Sequence, residues 1–262
     1  MELGLTGKAA IVGGSSRGIG KAIALALAQE GCDVAICARG EDDLKTTAEE
    51  IRSQTGARVL PLVCDMSSYD DIQRLVREAA KTFGRIDIVV NNAGGPPPGT
   101  FDDFSEEEWQ QAVDQNFLSA VRTTREALPH LRRQGGRVIN ITSVAVKQPI
   151  DSLILSNAVR LGVVGMAKTL SRQVGKDGIT VNNVCPGNIA TQRLLSLFKA
   201  RAQREGRPFQ EVLEEEESRT PTGSLGDPAD VAALVAFLAS NQARYISGAT
   251  IQVDGASTTA VF

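Results

Sequence analysis

The chain has 262 residues, of which 42% are hydrophobic and 23% are charged, and its formal net charge at pH 7 is −3. This composition suits a folded globular chain and excludes a disordered one, and the length favours a single domain over residues 1–262. Because the charge is nearly balanced, we expect neither a nucleic acid nor an anionic membrane as a partner.

Short β-branched runs alternate with longer amphipathic stretches along the chain. The predicted strands lie at residues 8–12, 33–37, 58–63, 86–90, 136–141, 179–184 and 250–253. The predicted helices lie at residues 18–30, 41–53, 68–83, 105–133, 153–174 and 228–239. The strands are continuous apolar runs, which indicates burial on both faces of a parallel sheet. The alternation predicts a Rossmann-type, doubly wound α/β fold with a seven-stranded parallel sheet in a three-layer α/β/α arrangement.

Two segments interrupt this alternation. Residues 94–100 have the sequence GGPPPGT, and three successive prolines predict a stiff loop because each fixes φ and removes a donor. Residues 190–226 are charged and of mixed character. A connection this long inside a compact domain is commonly a lid, and we predict a substrate lid at about residues 190–222. A solvated pair of helices is the alternative interpretation.

A glycine-rich segment follows the first predicted strand and opens the first predicted helix. Its glycines permit a tight turn and a close backbone approach, and the helix N-terminus then offers free N–H groups to a pyrophosphate. The spacing GxxxGxG differs from the common GxGxxG pattern, and a simple tight turn is the alternative. The predicted phosphate-binding residues are Gly14, Ser16, Arg17, Gly18, Ile19 and Gly20.

The end of the second predicted strand indicates which nicotinamide cofactor is bound. An NAD site usually has an acidic residue there, which holds the ribose 2′-OH. That position is Ala38 in this chain and is followed by Arg39. The planar guanidinium of Arg39 can pair with a 2′-phosphate, and Arg17 adds a second positive charge nearby. We therefore predict NADP(H) in preference to NAD(H).

Residue types that bind metals or form thiol centres are few and scattered. The four cysteines form no CxxC pair, and His130 is the only histidine. We expect free thiols in a reducing cytoplasm, no metal site and no Ser-His-Asp triad. No apolar run reaches the ~18–20 residues that span a bilayer, and the N-terminus lacks the features of a signal peptide. A cytoplasmic protein is the resulting expectation.

Several motifs occur in the order typical of one enzyme family. They are Gly14-x-x-x-Gly18-x-Gly20, Asp65, Asn91-Asn92-Ala93-Gly94, Asn116, Ser143, Pro186-Gly187 and Asp254-Gly255. The sequence thereby resembles the short-chain dehydrogenase/reductase family over essentially its whole length, and most of all the β-ketoacyl-acyl carrier protein reductase branch, which favours NADPH. The resemblance implies a homotetramer, because family members pair their long helices. It also implies cofactor contacts by Asp65, Met66, Asn92, Ala93, Gly94, Pro186, Gly187, Ile189 and Thr191.

The catalytic centre implied by the resemblance departs from the family pattern. Family members have a tyrosine thirteen residues after the catalytic serine and a lysine four residues later. Counting from Ser143 reaches Ser156 and Arg160 instead. A serine hydroxyl is a far weaker acid than a phenol, and arginine stays protonated and cannot relay a proton. Arg160 can still hold the hydroxyls of the nicotinamide ribose, because that task needs only fixed donors and charge.

Three functions remain open from the sequence. The first is an NADP(H)-dependent oxidoreductase acting on a small carbonyl or alcohol, in which Asn116 and Ser143 position a water and the substrate oxygen. Its proton donor is then a water held by Ser156 or a side chain of the loop after Ser143, either Lys147 or Asp151, although Lys147 also fits an ordinary surface lysine. The second is an NADP(H)-binding protein with little or no turnover, acting as a sensor or partner subunit. The third is dehalogenase-like chemistry, against which the intact glycine loop argues.

Overall fold

The computed structural model describes residues 2–261. The strands are β1 (Ala9–Val12), β2 (Asp33–Ala38), β3 (Val59–Val63), β4 (Ile88–Asn91), β5 (Gly136–Ile141), β6 (Ile179–Pro186) and β7 (Thr250–Val253). The α-helices are α1 (Gly18–Gln29), α2 (Glu41–Thr55), α3 (Tyr69–Phe83), α4 (Glu106–Val113), α5 (Ser119–Leu131), α6 (Ile154–Gln173), α7 (Gln192–Glu205), α8 (Phe209–Ser218) and α9 (Pro228–Ala239). The predicted strands are confirmed, with ends that move by one or two residues.

The strands form one parallel sheet in the order β3-β2-β1-β4-β5-β6-β7. Ala10 of β1 is paired with Val34 of β2 on one side and with Ile88 of β4 on the other. The chain therefore winds outward from β1 in both directions, and the strand order reverses between β1 and β4. A crevice forms at the carboxyl ends of the strands at such a reversal. This is the predicted doubly wound Rossmann-type fold.

Helices cover both faces of the sheet. Ala10 and Val12 belong to a core that includes residues of α1, α2 and α9, whereas Ala9 and Ile11 belong to a core that includes residues of α3, α5 and α6. Alternate residues of β1 thus point to opposite faces, and all four are at most 1% exposed. Burial on both faces explains why β1 is entirely apolar, whereas β5 and β6 also contain the buried asparagines Asn140, Asn182 and Asn183. The edge strand β7 differs, since its residues are only partly buried.

The predicted helix at residues 105–133 is interrupted. The helix α4 begins after a capping box in which Ser105 and Glu108 bond each other's backbone N–H groups. A turn of π-helix at Asp114–Leu118 then separates α4 from α5. Such π-turns occur frequently at functional sites, and this one contains Asn116.

The segment at 190–226 contains the two helices α7 and α8, as the alternative interpretation expected. Phe198, Ala202 and Val212 form a small apolar cluster between them. Arg201 of α7 pairs with two carboxylates of α8, Glu215 at 2.9 Å and Glu216 at 2.6 Å. The helices are therefore joined by an apolar contact and an ion-pair network. Across the described residues, no helix is both long and apolar enough to cross a membrane.

Candidate active site and nucleotide cleft

A cleft of about 1000 Å³ lies at the carboxyl ends of the strands. Its walls come from the β1–α1 loop, from the ends of β2, β4, β5 and β6, and from the first half of α7. Its position is the one that the reversal of strand order predicts for a ligand site. The volume is at the upper end of that of ordinary ligand pockets, which suits a large cofactor together with a small substrate.

The β1–α1 loop has the conformation that phosphate binding requires. Gly14 and Gly18 have φ values of +53° and +56°, a region that side chains rarely adopt. A Cβ on Gly20 would lie 2.2 Å from the carbonyl oxygen of Gly14, so no side chain fits there. The side chain of Asn92 donates to the carbonyl oxygens of Gly13 and Gly14 at 2.9 and 3.2 Å. The loop is thus held open above the N-terminus of α1.

The N-terminus of α1 is free to bind an anion. Its N-cap residue is Arg17, which makes no side-chain capping hydrogen bond, and the first turn contains no acidic residue. Arg17 and Arg39 both line the cleft and are exposed, and within residues 2–261 neither is part of an ion pair. Two guanidinium groups outside any ion pair and the free N–H groups of a helix start suit a nucleotide with a pyrophosphate and a 2′-phosphate.

Ser143 and Ser156 face the same cleft from two elements. Ser143 follows β5, and its Oγ accepts a hydrogen bond from the N–H of Ala145 at 3.2 Å. Ser156 lies in the first turn of α6 and is 5% exposed. Arg160 follows one turn later, so that it lies next to Ser156 on the same face of the helix.

Arg160 is fixed by the end of β5. Its Nη1 donates to the carbonyl oxygens of Ile141 and Thr142, both at 2.9 Å. Burial lowers the pKa of Arg160 to about 10, and the nearby charge of Arg193 acts in the same direction. The guanidinium nevertheless keeps its charge at neutral pH. It can therefore bind and orient a ligand but cannot exchange a proton.

A second, much smaller cavity lies beside Arg160. Its volume is about 10 Å³, and its walls include Asn91, Asn116 and Arg160. The Oδ1 atoms of both asparagines and Nε of Arg160 are buried and have no hydrogen-bond partner among the described residues. A polar space of this size holds about one water. Asn116 thus faces this cavity and not the large cleft.

The comparisons with known proteins agree with this geometry. A family model described as enoyl-(acyl carrier protein) reductase matches residues 14–258. The 3-oxoacyl-[acyl-carrier-protein] reductase of Staphylococcus epidermidis is 33% identical over 250 residues, which are 95% of this chain and 98% of the relative. The D-beta-hydroxybutyrate dehydrogenase of Cupriavidus necator is 36% identical over 253 residues, or 96% and 98% of the two chains.

The similarity extends to solved structures. L-sorbose reductase from Gluconobacter frateurii, solved in complex with NADPH and L-sorbose, has a TM-score of 0.96 to this chain at 32% identity, and the match covers 100% of both chains. The chain belongs to the short-chain dehydrogenase/reductase family. It is a member of the ketoacyl reductase-like branch, as its motifs predict.

Most residues that the motifs of this short-chain dehydrogenase/reductase single out line the cleft. Those that line it are Gly14, Ser16, Arg17, Gly18, Ile19, Gly20, Arg39, Asp65, Met66, Asn92, Ala93, Gly94, Ser143, Ser156, Arg160, Pro186, Gly187 and Thr191. Three predicted residues do not. The side chain of Ile189 is packed in the core and is 4% exposed. Asn116 faces the small cavity, and Lys147 is partly buried just beyond the turn that follows Ser143.

Arg193 also lines the cleft, although it was not among the predicted site residues. Arg193, in the first turn of α7, donates to the carbonyl oxygens of Gly95 at 2.8 Å and Pro96 at 2.9 Å. It thereby connects the predicted lid to the proline-rich loop at residues 94–100. The sequence could have indicated Arg193, because it lies two residues after Thr191, which is itself a predicted cofactor contact.

Proposed function

We propose that this protein is an NADP(H)-dependent oxidoreductase that interconverts a small carbonyl compound and its alcohol, with Ser156 and Arg160 in place of the family's tyrosine and lysine. One observation carries the proposal: a single cleft extends from Arg17 and Arg39 to Ser143. A nucleotide tail and a reacting carbonyl can therefore be held at the same time. The NADPH complex of the similar sorbose reductase supports the same cofactor.

The cofactor-binding end of the cleft follows from charge and backbone geometry. The glycine loop and the N-terminus of α1 bind the pyrophosphate, and the guanidinium groups of Arg17 and Arg39 bind the 2′-phosphate. Asp65 and Met66 bound the adenine end, at the carboxyl end of β3. When bound, the nicotinamide ring supplies or accepts the hydride.

Proton handling must differ from that of a tyrosine-containing relative. Ser143 donates a hydrogen bond to the substrate oxygen and polarises it. The Oγ of Ser156 makes no hydrogen bond to another described residue, so it is free to hold a water that serves as the proton donor. Arg160 supplies fixed charge and orients the nicotinamide ribose. The water expected in the small cavity joins Asn116 to Arg160 and keeps that guanidinium in position.

Low turnover is the second candidate function. Losing a positioned general acid typically costs about 10²–10⁴-fold in rate. The Oγ of Ser156 makes no hydrogen bond within residues 2–261, and Nη1 of Arg160 donates to two backbone carbonyl oxygens. Both observations suit a protein that binds NADP(H) as a sensor or as the partner of an active subunit.

The surface of α6 and the free cysteines bear on the oligomeric state and the cellular location. Leu161 is 50% exposed on α6, and nothing lies within 4 Å of the position of a Cβ on Gly165 of the same helix. An exposed leucine beside an uncrowded glycine on one helix face suits helix pairing between copies, and we infer a homotetramer. Four free thiols suit a reducing cytoplasm. Light scattering tests the tetramer, and a monomer at micromolar concentration contradicts it.

The experiment that separates the two functions combines binding and turnover. Calorimetric titration with NADPH and NADH comes first, followed by a panel of carbonyl compounds on the wild type and on Ser156→Tyr/Arg160→Lys. Reduction by the wild type supports the oxidoreductase, whereas reduction by the double variant alone supports the binding protein. If neither protein binds a nicotinamide nucleotide, both functions are wrong.

A further inference from the structure

The charges that line the cleft are unevenly distributed. The acidic residues among its lining are Asp43 and Asp65, from α2 and from the end of β3. The cations that line the cleft include Arg160, which lies one helical turn after Ser156, and Arg193, which donates to the backbone of Gly95. Within residues 2–261, neither of the two arginines forms an ion pair with a carboxylate. The proposed reaction centre therefore carries uncompensated positive charge.

The two guanidinium groups converge on one point. The position of a Cβ on Gly95 would lie 3.4 Å from Nη2 of Arg160 and 3.4 Å from both Nη atoms of Arg193. The two cations reach this point from different helices, α6 and α7. Like charges this close repel, and an anion between them would turn that repulsion into attraction.

Both groups keep donors for such an anion. Arg193 uses its Nη1 and Nη2 for one carbonyl oxygen each, although each nitrogen carries two hydrogens. Arg160 uses its Nη1 for two carbonyl oxygens, while its Nη2 makes no hydrogen bond to a described residue. These backbone contacts fix both groups in place without neutralising them. Guanidinium groups with fixed donors suit the two oxygens of a carboxylate.

We propose that the substrate of this enzyme carries a carboxylate, which Arg160 and Arg193 bind at Gly95 while Ser143 holds the reacting oxygen. The inference rests on the proposed function and adds the substrate class. The other source of an anion in this cleft is the pyrophosphate of the cofactor, and the test below distinguishes the two.

The first test measures binding without turnover. The NADP⁺-loaded protein is titrated calorimetrically with butyrate and with its neutral counterpart butyramide. We expect butyrate to bind at least about tenfold more tightly than butyramide, because one ionic hydrogen-bonded contact is worth that factor or more. Arg193→Gln should remove this difference in affinity between butyrate and butyramide. Gly95→Ala should also weaken butyrate binding, because the methyl group of the alanine occupies the point between the two cations while both charges remain.

The matched control is Arg204→Gln. Arg204 lies in the last turn of the same helix, is exposed and is not part of the cleft. The substitution removes one positive charge from α7 at a position outside the cleft, so the affinity for butyrate should not change. Equal butyrate and butyramide affinities in the wild type overturn the proposal. So does a loss of NADPH affinity in Arg193→Gln as large as the loss of butyrate affinity, because Arg193 then binds the cofactor.

A kinetic test separates this inference from the proposed function. A panel of 3-oxo acids and their methyl esters is reduced with NADPH by the wild type and Arg193→Gln. We expect the acids to have at least about tenfold higher kcat/KM, with the advantage lost in the variant. Equal kcat/KM values for acids and esters would overturn the proposed carboxylate site but would still support the oxidoreductase activity. If nothing is reduced but butyrate binding still depends on Arg193 and Gly95, the anion site stands and the oxidoreductase is wrong.

Discussion

Replacing Arg39 by aspartate tests the origin of the cofactor preference. Arg39 directly follows β2, lines the cleft and is exposed, and among residues 2–261 no carboxylate pairs with it. Its charge is therefore available to a 2′-phosphate. An aspartate at the same position would repel that phosphate and would accept a hydrogen bond from a free 2′-OH.

The size of the effect follows from the lost contact. A hydrogen bond to a charged group contributes about 1.5–3 kcal/mol, which corresponds to about 10–150-fold in the Kd of NADPH. Arg17 remains and retains part of the attraction, so complete loss of NADPH binding is not expected. The gain for NADH comes from one neutral-to-charged hydrogen bond at an exposed position, and we expect it to stay below about tenfold.

The assay is calorimetric titration of both nucleotides at one fixed salt concentration, because salt screens charges at exposed positions. Arg244→Asp is the matched control, since Arg244 is exposed and does not line the cleft. An unchanged NADPH affinity in Arg39→Asp would refute the assignment of Arg39 to the phosphate. Equal weakening in both variants would show that only the net charge of the protein matters.

Three further predictions concern the catalytic centre, the glycine loop and the helices α7 and α8. Ser156→Tyr/Arg160→Lys should raise kcat for carbonyl reduction by about 10²–10⁴-fold, because it restores a positioned general acid; an unchanged kcat would show that the wild type lacks no such acid. Gly20→Ala places a Cβ 2.2 Å from the carbonyl oxygen of Gly14, so the loop must shift. We expect at least tenfold weaker NADPH binding by calorimetry. An unchanged NADPH affinity at an unchanged Tm would contradict the assignment of this loop to the pyrophosphate. Hydrogen bonds from two arginines lower the pKa of Glu215 to about 2. A lowered carboxyl pKa stabilises the fold above its unfolded value of about 4.3, and this contribution is lost as the pH falls towards 2. Amide hydrogen exchange in α7 and α8 should therefore become faster relative to the sheet over that pH range, and Glu215→Gln should not show this change. The same pH dependence of exchange in the wild type and in Glu215→Gln would contradict this role of Glu215.

The fold could be predicted because its information is local. The inner strands are buried on both faces, so most of their residues are apolar, and parallel strands require a crossover helix between them. The glycine loop was equally readable, since the positive φ values of Gly14 and Gly18 and the crowding at Gly20 require glycine. Arg39 was identified because the end of β2 has a fixed position relative to that loop.

The rest of the site depends on tertiary placement. The π-turn that contains Asn116 lies within one continuous helical pattern, and the extra residue per turn leaves no clear mark on the apolar period. Arg193 looks like an ordinary charged residue until α7 folds over Gly95. The sequence also does not show that Arg160 contacts both the cleft and a separate cavity, because this depends on where the end of β5 lies.

The crystal structure of the NADPH complex tests the central claim most directly. We expect the 2′-phosphate to lie between Arg17 and Arg39 and the nicotinamide ring to lie beside Ser143, within reach of Ser156 and Arg160. A complex in which the 2′-phosphate avoids both arginines, or in which the nicotinamide ring lies outside the pocket formed by Ser143 and Ser156, would contradict it.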